Sequence, residues 1–222
     1  MDARSKEFNN LKIHTQYSIC EGAIKIDELA EYCKKNKIRA LGLADSYNLC
    51  GALEFAEKIS KAGTQPIIGT QINILSENQI GKITLYATSD KGYKNLTKLS
   101  SKSYLRNKKF NDPYCEIDDL ISNNEDIILL TGNYSNFFGR LFYANKLKLI
   151  EKLISKLKSS FNDRLYIEIQ RHKETQEINF ENYLLKLSTS NNLPLIAGQE
   201  VFYIDPNMAE AHDALICIGE KK

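Results

Sequence analysis

The chain has 222 residues, of which 42% are hydrophobic and 26% charged, and a formal net charge of +2. That length and composition suit one ordinary globular domain with a full core. No apolar stretch is long enough to span a bilayer, and the opening MDARSKEFNN has no signal-peptide core. Five cysteines with no CxxC pair argue against a disulfide framework or a zinc finger and suit a reducing cytosol. Of the 30 basic residues 24 are lysine, spread among 28 acids, so charge gives no case for a nucleic-acid surface.

In chain order, the apolar run 11–14 reads as a first strand that ends at His14, with Lys12 two residues upstream on the same face. The pattern IKIDELAEYCKKNK follows as a helix. Ile26, Leu29, Ala30 and Cys33 form its apolar stripe, with Asp27 and Glu28 early and lysines late, the sense the helix dipole favours. The run 39–44 predicts a strand ending at Asp45, and GALEFAEKISKAG a helix closed by Gly63 as a left-handed C-cap before Pro66. Runs 66–75 and 82–88 predict two further strands, DKGYKNLTKLSSKSYL a third helix and IDDLISN a short fourth. After a strand at 126–131, the lysine run 146–158 places Leu147, Ile150, Leu153, Ile154 and Leu157 at helical spacing. Its charges therefore read as a solvated helix face rather than a phosphate-binding strip. Strands at 164–169 and 194–201 flank the helical NYLLKLSTSNN, and NMAEAHDALICI forms a last helix. The ending ICIGEKK directly after it suggests the front piece of a longer chain.

Seven strand-like runs alternating with helices predict one domain, residues 1–222, of parallel α/β class. Without a GxGxxG or GxxxxGK[ST] motif, barrel-like closure is favoured over a dinucleotide-binding open sheet. In parallel barrels the working residues lie at the C-terminal strand ends. Here those ends carry His14, Asp45, Gln71, Asn133, Glu168 with His172 nearby, and Glu200, while His212 falls in the last helix. A multinuclear metal site needs more His and carboxylate ligands than this set supplies.

Six stretches carry a family resemblance: HTQYSICEGA, LADSYNLCGALEF, PIIGTQINI, GYKNLTKLSS, YIEIQRH and PLIAGQEVFYIDPNMAEAHDA. From about Phe8 onward, and in the same motif order, they resemble the PHP (polymerase and histidinol phosphatase) domain. More narrowly, they are similar to the N-terminal PHP domains of the bacterial replicative, C-family DNA polymerase III alpha subunits. The resemblance implies a distorted seven-stranded (β/α) barrel, either complete or cut short at its C-terminal end. Active members hold metal ions at the rim, usually zinc or manganese. Carried over position by position, most of those ligands are replaced. His-x-His reads Lys12-Ile13-His14, Asp-His reads Asp45-Ser46, and the glutamate after Pro-Ile-Ile-Gly is Gln71. A histidine opening the fourth strand is Lys82, Ser/Thr-Gly-Cys reads Thr131-Gly132-Asn133, and Asp-x-His reads Glu200-Val201-Phe202. His14 and Asp45 match, and Glu200 is a conservative stand-in.

An ammonium where a dication should sit repels it and offers no lone pair, Gln71 offers only a neutral carbonyl, and Phe202 offers nothing. The expectation is therefore an ion pair of Lys12 with Asp45 or Glu200 in place of the metal, with His14 a packed remnant. Asp45 is expected to bond loop amides or cap a helix, Glu168 and His172 to belong to local polar networks, and Tyr17 and Ser18 to shape the first loop. No catalytic residue, metal or cofactor is expected in this domain.

By resemblance, the chain is a catalytically silent structural and docking module at the front of a cytoplasmic DNA-directed DNA polymerase (a nucleotidyltransferase). Magnesium belongs to the downstream polymerase site. The implied partners are a proofreading exonuclease subunit, the rest of the alpha subunit and the holoenzyme, and primer-template DNA through the full-length chain, with no membrane. The rival is a metal-dependent phosphoesterase or 3′–5′ exonuclease with a reduced site of His14, Asp45 and Glu200, supplemented by Glu168 or His172. A free-standing histidinol-phosphate-type phosphatase would need two motifs that are both broken here.

Overall fold

Period-two alternation organises the strands, with apolar side chains turned outward to helices and polar ones inward. The computed structural model describes residues 8–105 and 112–220. Its strands are β1 (Lys12–Ile13), β2 (Ala40–Leu43), β3 (Gln65–Ser76), β4 (Gln79–Ala87), β5 (Tyr114–Glu116), β6 (Ile127–Leu130), β7 (Leu165–Ile169), β8 (Leu195–Ala197) and β9 (Glu200–Val201). The helices are α1 (Ile26–Asn36), α2 (Ala52–Lys61), α3 (Asp90–Leu105), α4 (Ile117–Ser122), α5 (Phe137–Tyr143), α6 (Leu147–Phe161), α7 (Thr175–Asn191) and α8 (Ala209–Glu220).

Hydrogen-bonded neighbours run β8-β7-β6-β4-β3-β2-β1-β9, with β5 paired to β3. The fold is the α/β class expected, with two corrections. First, the sheet is mixed: β4 runs antiparallel to both β3 and β6. The cause is a two-residue turn at Glu77 and Asn78, whose φ values of 46° and 64° are those of a hairpin turn that matches strand twist. Second, the described residues hold nine strands, not seven. The run 194–201 divides at Gly198 and Gln199, and β5 is too short for a periodic signal. The end strands belong to that one divided run: β8 pairs with β7, and β9 pairs with β1. The hydrogen-bonded path is therefore open, and its two ends are joined covalently through Gly198 and Gln199.

Two apolar layers lie outside the strands. Ile13, Leu41 and Leu43 pack on Leu29 and Cys33 of α1 and Phe55 and Ile59 of α2. Ile72, Ile83, Leu129 and Ile167 pack on α3, α5, α6 and α7. In α6 the buried stripe runs Leu149, Ile150, Leu153, Ile154 and Leu157, with Lys148, Lys152 and Lys156 exposed as expected. Leu147, expected on that stripe, is 36% exposed at the first residue of the helix. The aromatic α5 had no periodic signature in its seven residues. Gly63 adopts φ +84° after α2, the left-handed conformation expected of it.

Candidate functional site

The inward faces of β1, β3, β4 and β7 bring Lys12, Gln71, Lys82 and Glu168 into the barrel, and parallel pairing sets Lys12 opposite Glu200. Lys12 and Glu168 are 0% exposed. The Lys12 ammonium lies 2.9 Å from Glu168 Oε2 and 3.3 Å from Glu200 Oε1. Gln71 Nε2 donates to Glu200 Oε1 at 2.7 Å, and Gln170 Nε2 to Glu168 Oε1 at 2.6 Å. Asn133 in turn donates to Gln170 Oε1 at 3.0 Å. Burial pulls the Lys12 pKa down, but Glu168 and Glu200 outweigh it and leave the group above the usual lysine value. Burial likewise raises Glu200, yet Lys12 and the Gln71 bond hold it at about 2.

A second cation closes the mouth. Lys82 Nζ donates to Glu21 Oε1 and Oε2 at 2.7 and 2.8 Å and to Ser46 Oγ at 2.9 Å, and lies 5.0 Å above the Tyr47 ring. Ser46 Oγ donates to Glu21 Oε2 at 2.5 Å.

Asp45 takes no cation. It accepts from the Thr15 amide (2.6 Å), the Thr15 hydroxyl (2.7 Å) and the Ser18 hydroxyl (2.7 Å), so the expected Lys12 partner is Glu200 and not Asp45. Burial raises the Asp45 pKa against these bonds. Ser18 has a single proton and gives it to Asp45, so towards His14 Nδ1, 3.3 Å away, it can only accept. Nδ1 of His14 therefore carries the ring proton, and Nε2 is a lone pair. That Nε2 is buried with no hydrogen-bond partner among the described residues. Burial lowers the His14 pKa to about 4, and the ring stacks on Phe202 with centroids 4.5 Å apart.

Two histidines exchange places relative to expectation. His172 sits outside the site, where its Nδ1 lies 2.7 Å from Glu177 Oε1. His212 reaches the mouth: its Nε2 donates to the Glu21 carbonyl at 2.7 Å, and its ring leans on Phe202 and Tyr203. Chain order could not show this, since it depends on α8 folding back over the first loop. Glu21 and Gln170 also escaped sequence reasoning. Glu21 lies in the first loop, off the strand ends, and Gln170, directly after β7, carries no charge that would single it out.

A divalent ion does not fit this donor set. Glu168 and Glu200 are committed to Lys12, Asp45 is saturated by neutral donors, and Lys82 would repel a cation beside His14. Among the described residues, no group of three or more His, Cys, Asp or Glu side chains is arranged to hold a metal. Beside Glu168 and Gln170 the free space is about 10 Å³, a single water at most.

A strand-lined polar interior ringed by helices, with charged and polar side chains gathered at the strand ends, defines a class, and the chain belongs to the PHP domain family, which matches residues 10–172. Its curated relatives are DNA polymerase III alpha subunits. It is 33% identical to that of Caulobacter vibrioides, over 99% of this chain and 20% of the relative. Identity is 35% to the Rickettsia bellii protein (96% and 18%) and 31% to the Vibrio cholerae protein (96% and 19%). The chain thus spans about a fifth of the length of these relatives. In fold it is similar to a putative metal-dependent phosphoesterase from Bifidobacterium adolescentis, with TM-score 0.57 and 12% identity, covering 94% of this chain and 97% of that one. An amidohydrolase from Chromobacterium violaceum gives TM-score 0.56 at 10% identity, over 93% and 96%. Among the described residues no helix is long and apolar enough to cross a membrane.

Proposed function

We propose that this chain is the PHP domain of a replicative DNA polymerase III alpha subunit, that it is catalytically silent, and that it serves the polymerase as a structural and docking module. The observation that carries the silent reading is the pair of ammonium groups, Lys12 and Lys82, among the carboxylates where an active relative would hold metal. Similarity over nearly the whole chain to polymerase alpha subunits supports the parent assignment. In the full-length protein, DNA elongation and its magnesium belong to other domains, in the cytoplasm. A proofreading exonuclease subunit is the proposed docking partner, alongside the rest of the alpha subunit and the holoenzyme, and primer-template DNA is engaged through the full-length chain.

The test is elemental analysis of the purified chain, paired with hydrolysis of a generic phosphodiester with and without added manganese or zinc. Sub-stoichiometric metal and no turnover are expected. Near-stoichiometric metal with hydrolysis lost on His14→Ala would restore the rival, a phosphoesterase or 3′–5′ exonuclease on His14, Asp45 and Glu200.

A further inference from the structure

The misfit between this interior and a metal ion has a positive side. Glu168 and Glu200 point into one buried space, and removing water from two carboxylates is unfavourable unless a cation answers them. Glu168 is 0% exposed, and its Oε2 has no hydrogen-bond partner among the described residues, facing only the Lys12 ammonium at 2.9 Å. The opposite oxygen, Oε1, is fixed by Gln170, while Gln71 donates to Glu200 Oε1, the same oxygen that faces Lys12. Room for this arrangement is built into the backbone: a Cβ on Gly198 would stand 2.0 Å from Glu168 Oε1. Both carboxylates are therefore oriented by neutral donors, and Glu168 Oε2 and Glu200 Oε1 converge on the Lys12 ammonium.

We propose that Glu168 and Glu200, the latter braced by Gln71, form a cation-binding site for a small ammonium-type ion, and that the Lys12 side chain is its permanently tethered occupant. The ligand class follows from the donor set. Two carboxylates with neutral amide donors behind them suit the N–H donors of one primary ammonium. Lys12 Nζ makes its two short approaches to carboxylate oxygens and, with 0% exposure, has no access to water. The tether makes the local concentration of this cation independent of solution composition, so the barrel would hold its carboxylates together without recruiting an ion. This requirement comes from the barrel interior alone and does not depend on the replicase assignment.

The experiment is thermal unfolding of the 222-residue chain and three variants. Lys12→Met keeps the stem and removes the charge, and should lower the melting midpoint by about 10 °C. Combining Lys12→Met with Glu168→Gln and Glu200→Gln should recover most of that loss, because no carboxylate is left unanswered. Lys12→Ala leaves space for a free ion, and its midpoint should climb with added methylammonium chloride but not with tetramethylammonium chloride at equal ionic strength. A Lys12→Met variant as stable as the parent would overturn the proposal. So would a triple variant no better than Lys12→Met, or a Lys12→Ala variant that responds alike to both salts. Should Lys12→Ala fail to fold, the triple variant against Lys12→Met decides.

Discussion

The two lysines of the interior are equal in charge and unequal in worth. Lys12 is sealed from water, whereas the side chains of Lys82 and Glu21 are 22% and 29% exposed. A partly exposed pair gains less than a sealed one, because water still reaches both partners and salt screens them. Lys82→Met should therefore cost only about 1 kcal/mol in urea unfolding at neutral pH, well below the loss for Lys12→Met; equal losses would show that exposure does not rank these pairs. Acid should act through two groups in sequence. His14, depressed from 6.5 to about 4, is neutral in the fold and takes up a proton more readily when unfolded, so stability is full above pH 6.5 and falls between 6.5 and 4. Glu200, depressed from 4.5 to about 2, stabilises the ion cluster above pH 4.5, and that contribution is lost between 4.5 and 2. His14→Gln should flatten the first phase of the pH–stability curve, worth about 3 kcal/mol in all, and leave the second. A curve unchanged in its first phase would contradict the burial of a neutral imidazole.

At the scale of elements, the site depends on backbone features that carry no charge. The β3–β4 hairpin reverses one strand and sets Lys82 opposite Asn73 and Thr84 opposite Gln71 on the interior face. Asn78 occupies the left-handed region in that turn, where a β-branched residue is strained. Asn78→Val should destabilise the chain by about 1–2 kcal/mol, measured by chemical denaturation, whereas Asn78→Gly should be tolerated. At the other end, the Gly198–Gln199 link lets one run of chain pair with β7 and then with β1. Gly198→Ala would drive a methyl into Glu168 and should cost about 1–3 kcal/mol, with the Glu168–Lys12 pair displaced. A crystal structure of that variant with the 2.9 Å contact intact would refute this account.

For the whole molecule, the consequence is a barrel whose interior cohesion comes from side chains of the chain itself. A fold held by a metal ion loses stability to a chelator, because binding free energy is then part of folding free energy. Here the melting midpoint should be the same with and without EDTA, and added zinc or manganese should not raise it. A midpoint that rises with metal concentration would count against the silent reading and revive the phosphoesterase. A cavity of about 630 Å³ opens elsewhere, at the seam between β8 and the segment before β1, lined by Phe8, Asn10, Ile169, Leu195 and Ala197. It lies outside the polar interior and takes no part in the ion network.

Sequence by itself determined the α/β class, because alternating strand runs and amphipathic helices dictate which faces must be buried. It also set lysines and a phenylalanine at positions where the family resemblance implies metal ligands, and neither side chain can stand in for histidine. The left-handed Gly63 and the solvated lysine face of α6 were legible for the same local reasons. Tertiary structure alone decided the rest: that Lys12 answers both Glu168 and Glu200, that Glu21 from the first loop answers Lys82, and that His212 and not His172 reaches the mouth. These pairings join residues far apart in the chain, and a buried charge selects its partner by which carboxylate the fold brings within about 3 Å. No periodicity or spacing records that distance.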